Sequence, residues 1–207
     1  MHKIDKVCKK CRRAGQKLFL KGEKCLSPKC PFLRRSYAPG QHGQTPQRPT
    51  EYAKQLREKQ KAAQTYGILD GQFRKYYKEA LRQKGMTDLA LMRVLELRLD
   101  NIIYRLGFAS SRRQARVFVR DSHILVNNKK VTSPSFQIKL KDIIGIKETS
   151  QKKLPFSEIK KTLKKMKAPK WLKLDSEKFQ GQLIQIPERE DIDTPIDDHI
   201  ILEYFAR

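Results

Sequence analysis

Cysteines stand at positions 8, 11, 25 and 30 of this 207-residue chain and nowhere else. They form C-x2-C and C-x4-C pairs, thirteen residues apart, with Ser27-Pro28 bending the second pair. Two close pairs on separate turns set four thiolates at the corners of a tetrahedron. The surrounding segment has few large apolar side chains, so a bound metal has to supply what a small core cannot. Zinc is the simplest occupant of Cys8, Cys11, Cys25 and Cys30, and an iron–sulfur cluster takes the same ligands. Nearby cations, among them Lys9, Lys10, Arg12 and Arg13, lower thiolate pKa values and offset the charge of such a centre. Disulfides are the lesser expectation: MHKIDKVCKKC lacks the apolar core of a signal peptide, and no apolar run reaches the ~20 residues that span a bilayer. The expectation is a cytosolic protein without membrane contact.

Charge decides the partner. Lys and Arg number 46 against 22 Asp and Glu, a formal +24. A compact body with that charge repels itself unless a polyanion neutralises it, which points to nucleic acid. Residues 1–45 hold 12 basic and 2 acidic side chains, residues 147–174 hold 10 and 2, and only 175–207 reverses, with 3 and 9. Hydrophobic residues, at 38%, still suffice for folded cores.

Residues 36–50, SYAPGQHGQTPQRPT, read as an ordered loop or linker. Thr50 is expected to cap a helix over 51–65 with Gly67 beyond it, Asp70 a second running to Gly85, and Thr87 a third. Apolar spacing then stays helical to Gly107, with a break near Leu99-Asp100. SSRRQARVFVRDS predicts a short helix with Arg112, Arg116 and Arg120 on one face and Ala115, Phe118 and Val119 on the other. HILVNNKKVTS predicts a hairpin whose turn uses left-handed Asn127 and Asn128. Further strands are expected at Phe136–Ile146, Trp171–Leu174 and Leu183–Ile186. SEIKKTLKKMK reads as a basic helix or arm. Thr194-Pro195-Ile196-Asp197 is a helix start, and Ile196, Ile200, Tyr204 and Phe205 should pack that helix on residues 51–85, leaving Glu188, Glu190, Asp191 and Asp193 outward. The fold class is therefore α+β: a metal-bound segment and Gly/Pro loop over 1–44, a helical domain over 45–92 completed by 188–207, and an inserted RNA-binding module of two short helices plus a small, mostly antiparallel sheet over 93–187, including its basic extension.

Structured RNA is recognised through shape, phosphates and 2′-hydroxyls. Guanidinium forks at Arg112, Arg113, Arg116 and Arg120 suit phosphate. Gly40 and Gly43 let backbone approach phosphate oxygens, while Tyr37 and His42 offer rings to exposed bases. No Ser/His/Asp or Cys/His arrangement is visible, and four cysteines leave no open metal position for water. Asp100 and Asp121, set among arginines, read as cap or salt-bridge partners. Neither an enzyme nor a small-molecule substrate is expected.

The cysteine pairs at 8–30, YAPGQHG at 37–43, QLREKQKAAQTYG at 55–67, QFRKYYKEA at 72–80, LRLDNIIYRLGFASSRRQAR at 97–116, HILVN at 123–127, WLKLD at 171–175, PEREDID at 187–193 and the ending EYFAR together carry a resemblance over nearly the whole chain. It resembles the bacterial small-subunit ribosomal proteins of the S-four family, in their four-cysteine zinc form. The resemblance implies a structural constituent of the small subunit that binds its ribosomal RNA at a multi-helix junction, nucleates assembly, and lies among neighbouring ribosomal proteins near where messenger RNA enters, with an influence on decoding accuracy. It extends the RNA-contacting set to Arg12, Arg13, Arg34, Arg35, Gln41, Arg48, Arg57, Lys59, Lys61, Arg74, Lys75, Asn127, Lys129 and Lys130. Two departures stand out. Asn128 occupies the usual hairpin glycine, a change costing less than about 1 kcal/mol, and QTPQRP at 44–49 carries only Arg48 where relatives are more basic.

Overall fold

The computed structural model describes residues 7–45, 48–83, 85–163 and 168–206, the side chains of 161 and 162 excepted. Helices α1 (Cys8–Ala14), α2 (Glu23–Leu26), α3 (Pro31–Arg34), α4 (Glu51–Tyr66), α5 (Asp70–Arg82), α6 (Thr87–Glu96), α7 (Leu99–Arg105) and α8 (Arg112–Arg120) come first. Strands β1 (Ile124–Val126), β2 (Lys129–Lys130) and β3 (Ile143–Ile146) follow, then α9 (Glu148–Gln151), α10 (Phe156–Leu163), β4 (Leu172–Asp175), β5 (Gln180–Leu183) and α11 (Asp198–Phe205). The chain divides into two compact units: one reaches to Lys78 and resumes at Thr194, the other runs Glu79–Asp193. Among the described residues no helix is long and apolar enough to cross a membrane.

In the first unit, local chemistry sets the helix ends. Thr50 Oγ1 accepts the Ala53 N–H at 3.3 Å to start α4, and Gly67, at φ 66°, stops it. Asp70 is the first residue of α5 rather than its cap: its carboxylate accepts from Lys59 and from Arg74 Nε at 3.1 Å. The Lys59 hydrogen bond holds that carboxyl below its ordinary value. α5 ends at Arg82, short of Gly85. The terminal helix starts later than Thr194-Pro195 predicts. Glu58 Oε1 accepts the Asp197 N–H at 2.8 Å, the Pro195 carbonyl accepts from Gln16 at 3.2 Å, and Thr194 is buried with its hydroxyl 3.4 Å from that of Tyr66. These contacts hold the segment extended, and Asp197 becomes the cap, accepting from Ile200 N–H at 3.3 Å. Helix α11 packs as expected: Phe205 stacks on Tyr77 and Phe73 at 4.4 and 5.9 Å, and Tyr204 meets Tyr52 at 5.9 Å.

The second unit joins helices to a five-stranded antiparallel sheet of order β2-β1-β3-β5-β4. Leu99, Ile102 and Ile103 of α7 with Leu106 just past its end, Phe118 and Val119 of α8, Ile124, Ile144, Trp171 and Phe179 fill its core. The break between α6 and α7 falls at Leu97-Arg98, slightly before the expected point, because Arg98 is extended and bridges Gln137. Residues 136–142 do not continue as strand. Asp142 Oδ2 accepts the Lys139 N–H at 2.8 Å and Lys141 adopts φ 69°, so a side-chain-braced turn precedes β3. The last strand is Gln180–Leu183, three residues before the expected position, with Leu183 paired to Leu172. Of SEIKKTLKKMK, the part up to Leu163 is helical and 164–167 lie outside the described residues. Glu188, Glu190 and Asp193 are exposed, while Asp191 closes a capping box with Glu188.

Candidate nucleic-acid interface

In the first unit the loop 37–43 is built against α1. Arg12 Nε donates to the Tyr37 carbonyl at 2.9 Å and its terminal nitrogen to that of Ala38 at 3.3 Å, with the guanidinium 5.0 Å from the Tyr37 ring centre. Arg12 is thus a brace. Gly43 packs so closely on this backbone that a Cβ would collide with the Ala38 carbonyl oxygen, while Gly40 sits at φ 115°. The glycines serve the loop's own closure, leaving Tyr37, Gln41 and His42 exposed on it. Gly43→Ala is expected to open the loop and weaken RNA binding at least severalfold without lowering the melting temperature of the Glu79–Asp193 unit, as filter binding and calorimetry would show.

Of the other cations singled out in the sequence, Arg13, Arg34, Arg35, Arg48, Arg57, Arg74 and Lys75 are exposed. Lys59 is buried: it pairs with Asp70 and lies 4.8 Å from the Tyr204 ring centre. Lys61 pairs with Glu58. These two lysines are engaged inside the helical bundle, where sequence spacing alone showed only a polar face.

The cysteine segment brings Cys8, Cys25 and Cys30 into the neighbourhood of Cys11. Burial pushes the Cys11 thiol up, and Cys25, Cys8 and Cys30 push it further, while a hydrogen bond from the Leu18 backbone opposes them. Cys25 Sγ accepts the Lys21 N–H at 3.3 Å. Cys11, Cys25 and Cys30 are buried. Yet among the described residues no group of three or more His, Cys, Asp or Glu side chains is disposed to hold a metal ion. The donor set and the Lys21 N–H···S contact to Cys25 suit a thiolate metal.

The second unit corrects the arginine ridge. Arg116 donates to Asp100 Oδ2 at 2.7 and 3.2 Å, and Arg98 grips the same carboxylate at 2.9 and 3.1 Å. Arg112 Nε donates to Asn101 at 2.7 Å and stacks over Tyr104. Asn101 and Arg105 in turn hold Glu96, which is fully buried. Arg112 and Arg116 thus lie on the flank that faces α7. The outward stripe is Arg113, Val117 and Arg120, at helical i, i+4, i+7 spacing and all exposed. Sequence reasoning saw the arginines and Asp100 but missed Glu96, whose only signal was an acid alone in an apolar helix face.

The hairpin is locked in register. Asn127 and Asn128 adopt φ 48° and 61°, pairing Val126 with Lys129. The Asn127 side chain donates to Asp142 Oδ1 at 2.8 Å and accepts the Ile143 N–H at 2.9 Å. Asn127 is a clamp that presents exposed Lys129 and Lys130.

A strongly cationic body that commits one set of arginines to buried acids and displays another on a locked helix and hairpin is a nucleic-acid-binding protein of the helix–hairpin class. Residues 2–96 match the family described as Ribosomal protein S4/S9 N-terminal domain, and 97–144 match the S4 domain. Small ribosomal subunit protein uS4 of Heliobacterium modesticaldum is 52% identical over 201 residues, covering 97% of each chain. The protein of that name from Caldicellulosiruptor saccharolyticus is 50% identical over 204 residues, covering 99% of this chain and 98% of its own. The chain belongs to the small ribosomal subunit protein uS4 family. It is a structural ribosomal protein and not an enzyme.

Proposed function

We propose that the chain is a structural constituent of the cytoplasmic small ribosomal subunit that binds its ribosomal RNA at a multi-helix junction, helps nucleate assembly, and lies with neighbouring ribosomal proteins near the path of messenger RNA. The observation that carries this reading is the division of labour in the second unit. Arg98, Arg105 and Arg116 answer buried carboxylates, so Arg113, Arg120, Lys129 and Lys130 stand on a rigid frame as phosphate ligands. In the first unit, Arg13, Arg34, Arg35, Tyr37, Gln41 and His42 extend the RNA surface around the braced loop, and Arg48, Arg57, Arg74 and Lys75 widen it. The functional division follows as a cysteine segment with its loop over 1–44, a helical part over 45–92 with 188–207, and the RNA-reading module over 93–187.

Cys8, Cys11, Cys25 and Cys30 hold a structural zinc ion in this reading, with an iron–sulfur cluster the alternative on the same ligands. Four thiolates leave no open coordination position, so the metal's contribution is to folding alone. The chemistry of the four-cysteine donor set and the Leu18 and Lys21 backbone contacts to Cys11 and Cys25 support it. The acidic Glu188, Glu190 and Asp193 repel phosphate and suit a basic neighbouring protein. Co-sedimentation tests the reading: the protein is expected with small subunits at physiological salt and released from them by high salt. A chain that stayed free of ribosomal particles in a cell extract would refute it.

A further inference from the structure

Phe19 lies between the two cysteine pairs in a backbone conformation that Phe179 shares, but the Phe179 ring is buried in the core, 1% exposed, whereas the Phe19 ring faces solvent. Its φ is 50°, in the left-handed region where a bulky side chain is an outlier and glycine the natural occupant. Strain of this kind persists where the surroundings over-determine it, and it concentrates at functional positions. The surroundings here are specific. Two residues past Phe19 the Lys21 N–H meets Cys25 Sγ at 3.3 Å, which ties this turn to the second cysteine pair. Leu18 is buried, 4% exposed, and the turn throws the next ring outward, 43% exposed. Lys17 and Lys21 flank it, within a stretch of 45 residues holding 12 basic and 2 acidic side chains.

We propose that Phe19 is a base-stacking residue, whose ring face takes an unpaired base of ribosomal RNA while Lys17 and Lys21 meet the adjoining phosphates. An exposed aromatic with a lysine two residues away on either side in sequence suits a nucleotide, one apolar face beside one anion, better than it suits an apolar protein surface. The inference rests on the RNA-binding reading and adds to it an interaction that needs no charge.

The test uses the full-length protein and small-subunit ribosomal RNA, with Phe19→Tyr, Phe19→Leu and Phe19→Gly. Phe19→Leu and Phe19→Gly are expected to weaken binding roughly tenfold or more, with the slope of log affinity against log salt unchanged, because no cation is removed. Phe19→Tyr keeps the affinity. Phe19→Gly relieves the backbone and is expected to melt no lower than the parent protein, which separates a loss of stacking from a loss of folding. Lys17→Ala, in contrast, makes the salt slope shallower. Equal affinity of the parent and Phe19→Leu would overturn the assignment of Phe19 and leave the RNA reading standing. Full affinity for naked RNA with failed incorporation into subunits would give the ring to a neighbouring protein, and also overturn it. A parent protein that did not bind the RNA would defeat both.

Discussion

Asp100→Ala is expected to destabilise the Glu79–Asp193 unit by about 3–5 kcal/mol, the cost of removing one partner from a buried ion pair. The carboxylate is 1% exposed and receives four hydrogen bonds from Arg98 and Arg116. Arg98 is itself buried, so its guanidinium would stay in the interior without its counter-charge. Against a total stability of about 5–15 kcal/mol, that loss is a large fraction. The effect is asymmetric. Replacing Arg98 and Asp100 together by Met and Leu is expected to cost less than Asp100→Ala alone, because the deeply buried Arg98 charge leaves with its partner and the partly exposed Arg116 can still reach water. Arg116→Ala should cost less again, since its side chain is 33% exposed. Urea unfolding of the three variants checks the order, and a loss below about 1 kcal/mol for Asp100→Ala would mean that the carboxylate is not the keystone of the α7–α8 pair.

The second large effect concerns the cysteines. Structural zinc in small domains supplies apparent free energies of about 10–16 kcal/mol near neutral pH. If the four cysteines hold the proposed zinc, a chelator, or loss of one ligand by Cys25→Ser, is therefore expected to unfold residues 8–36 and expose them to protease. The Arg12 brace on Tyr37 and Ala38 starts from α1, so the loop should loosen with it and RNA affinity should fall. The Glu79–Asp193 unit has its own core and should melt unchanged. Elemental analysis and an absorption spectrum of anaerobically purified protein test for the proposed metal, and a proteolysis pattern indifferent to chelator would exclude a structural role for it.

What could be read from the sequence was local. Thr50 with Gly67 bounds α4, and Asn127-Asn128 makes the hairpin turn, because each needs only groups within a few residues. The apolar face of the terminal helix was legible for the same reason, as a 3.6-residue period. Its start was not: Glu58, 139 positions away in sequence, takes the Asp197 amide. The strand expected over 136–142 failed because Asp142 bonds back to Lys139 in preference to a ladder. The arginine ridge was read from helical spacing, which fixes which residues share a face and not which face looks outward. Asp100, sixteen residues from Arg116, decides that. Lys59 shows the same limit, since a lysine on a polar helix becomes internal only once Asp70 and Tyr204 are in place.

The most direct measurement is the salt dependence of binding to small-subunit ribosomal RNA, for the parent protein and for a variant with Arg113, Arg120, Lys129 and Lys130 all changed to Ala. None of these four side chains is buried, so the fold should be retained. If they hold phosphates, the slope of log affinity against log salt becomes shallower by about 0.9 for each phosphate no longer neutralised, and affinity at physiological salt falls by orders of magnitude. A variant with the parent's slope and affinity would contradict the account, because the cations displayed by the second unit would then have no part in holding RNA.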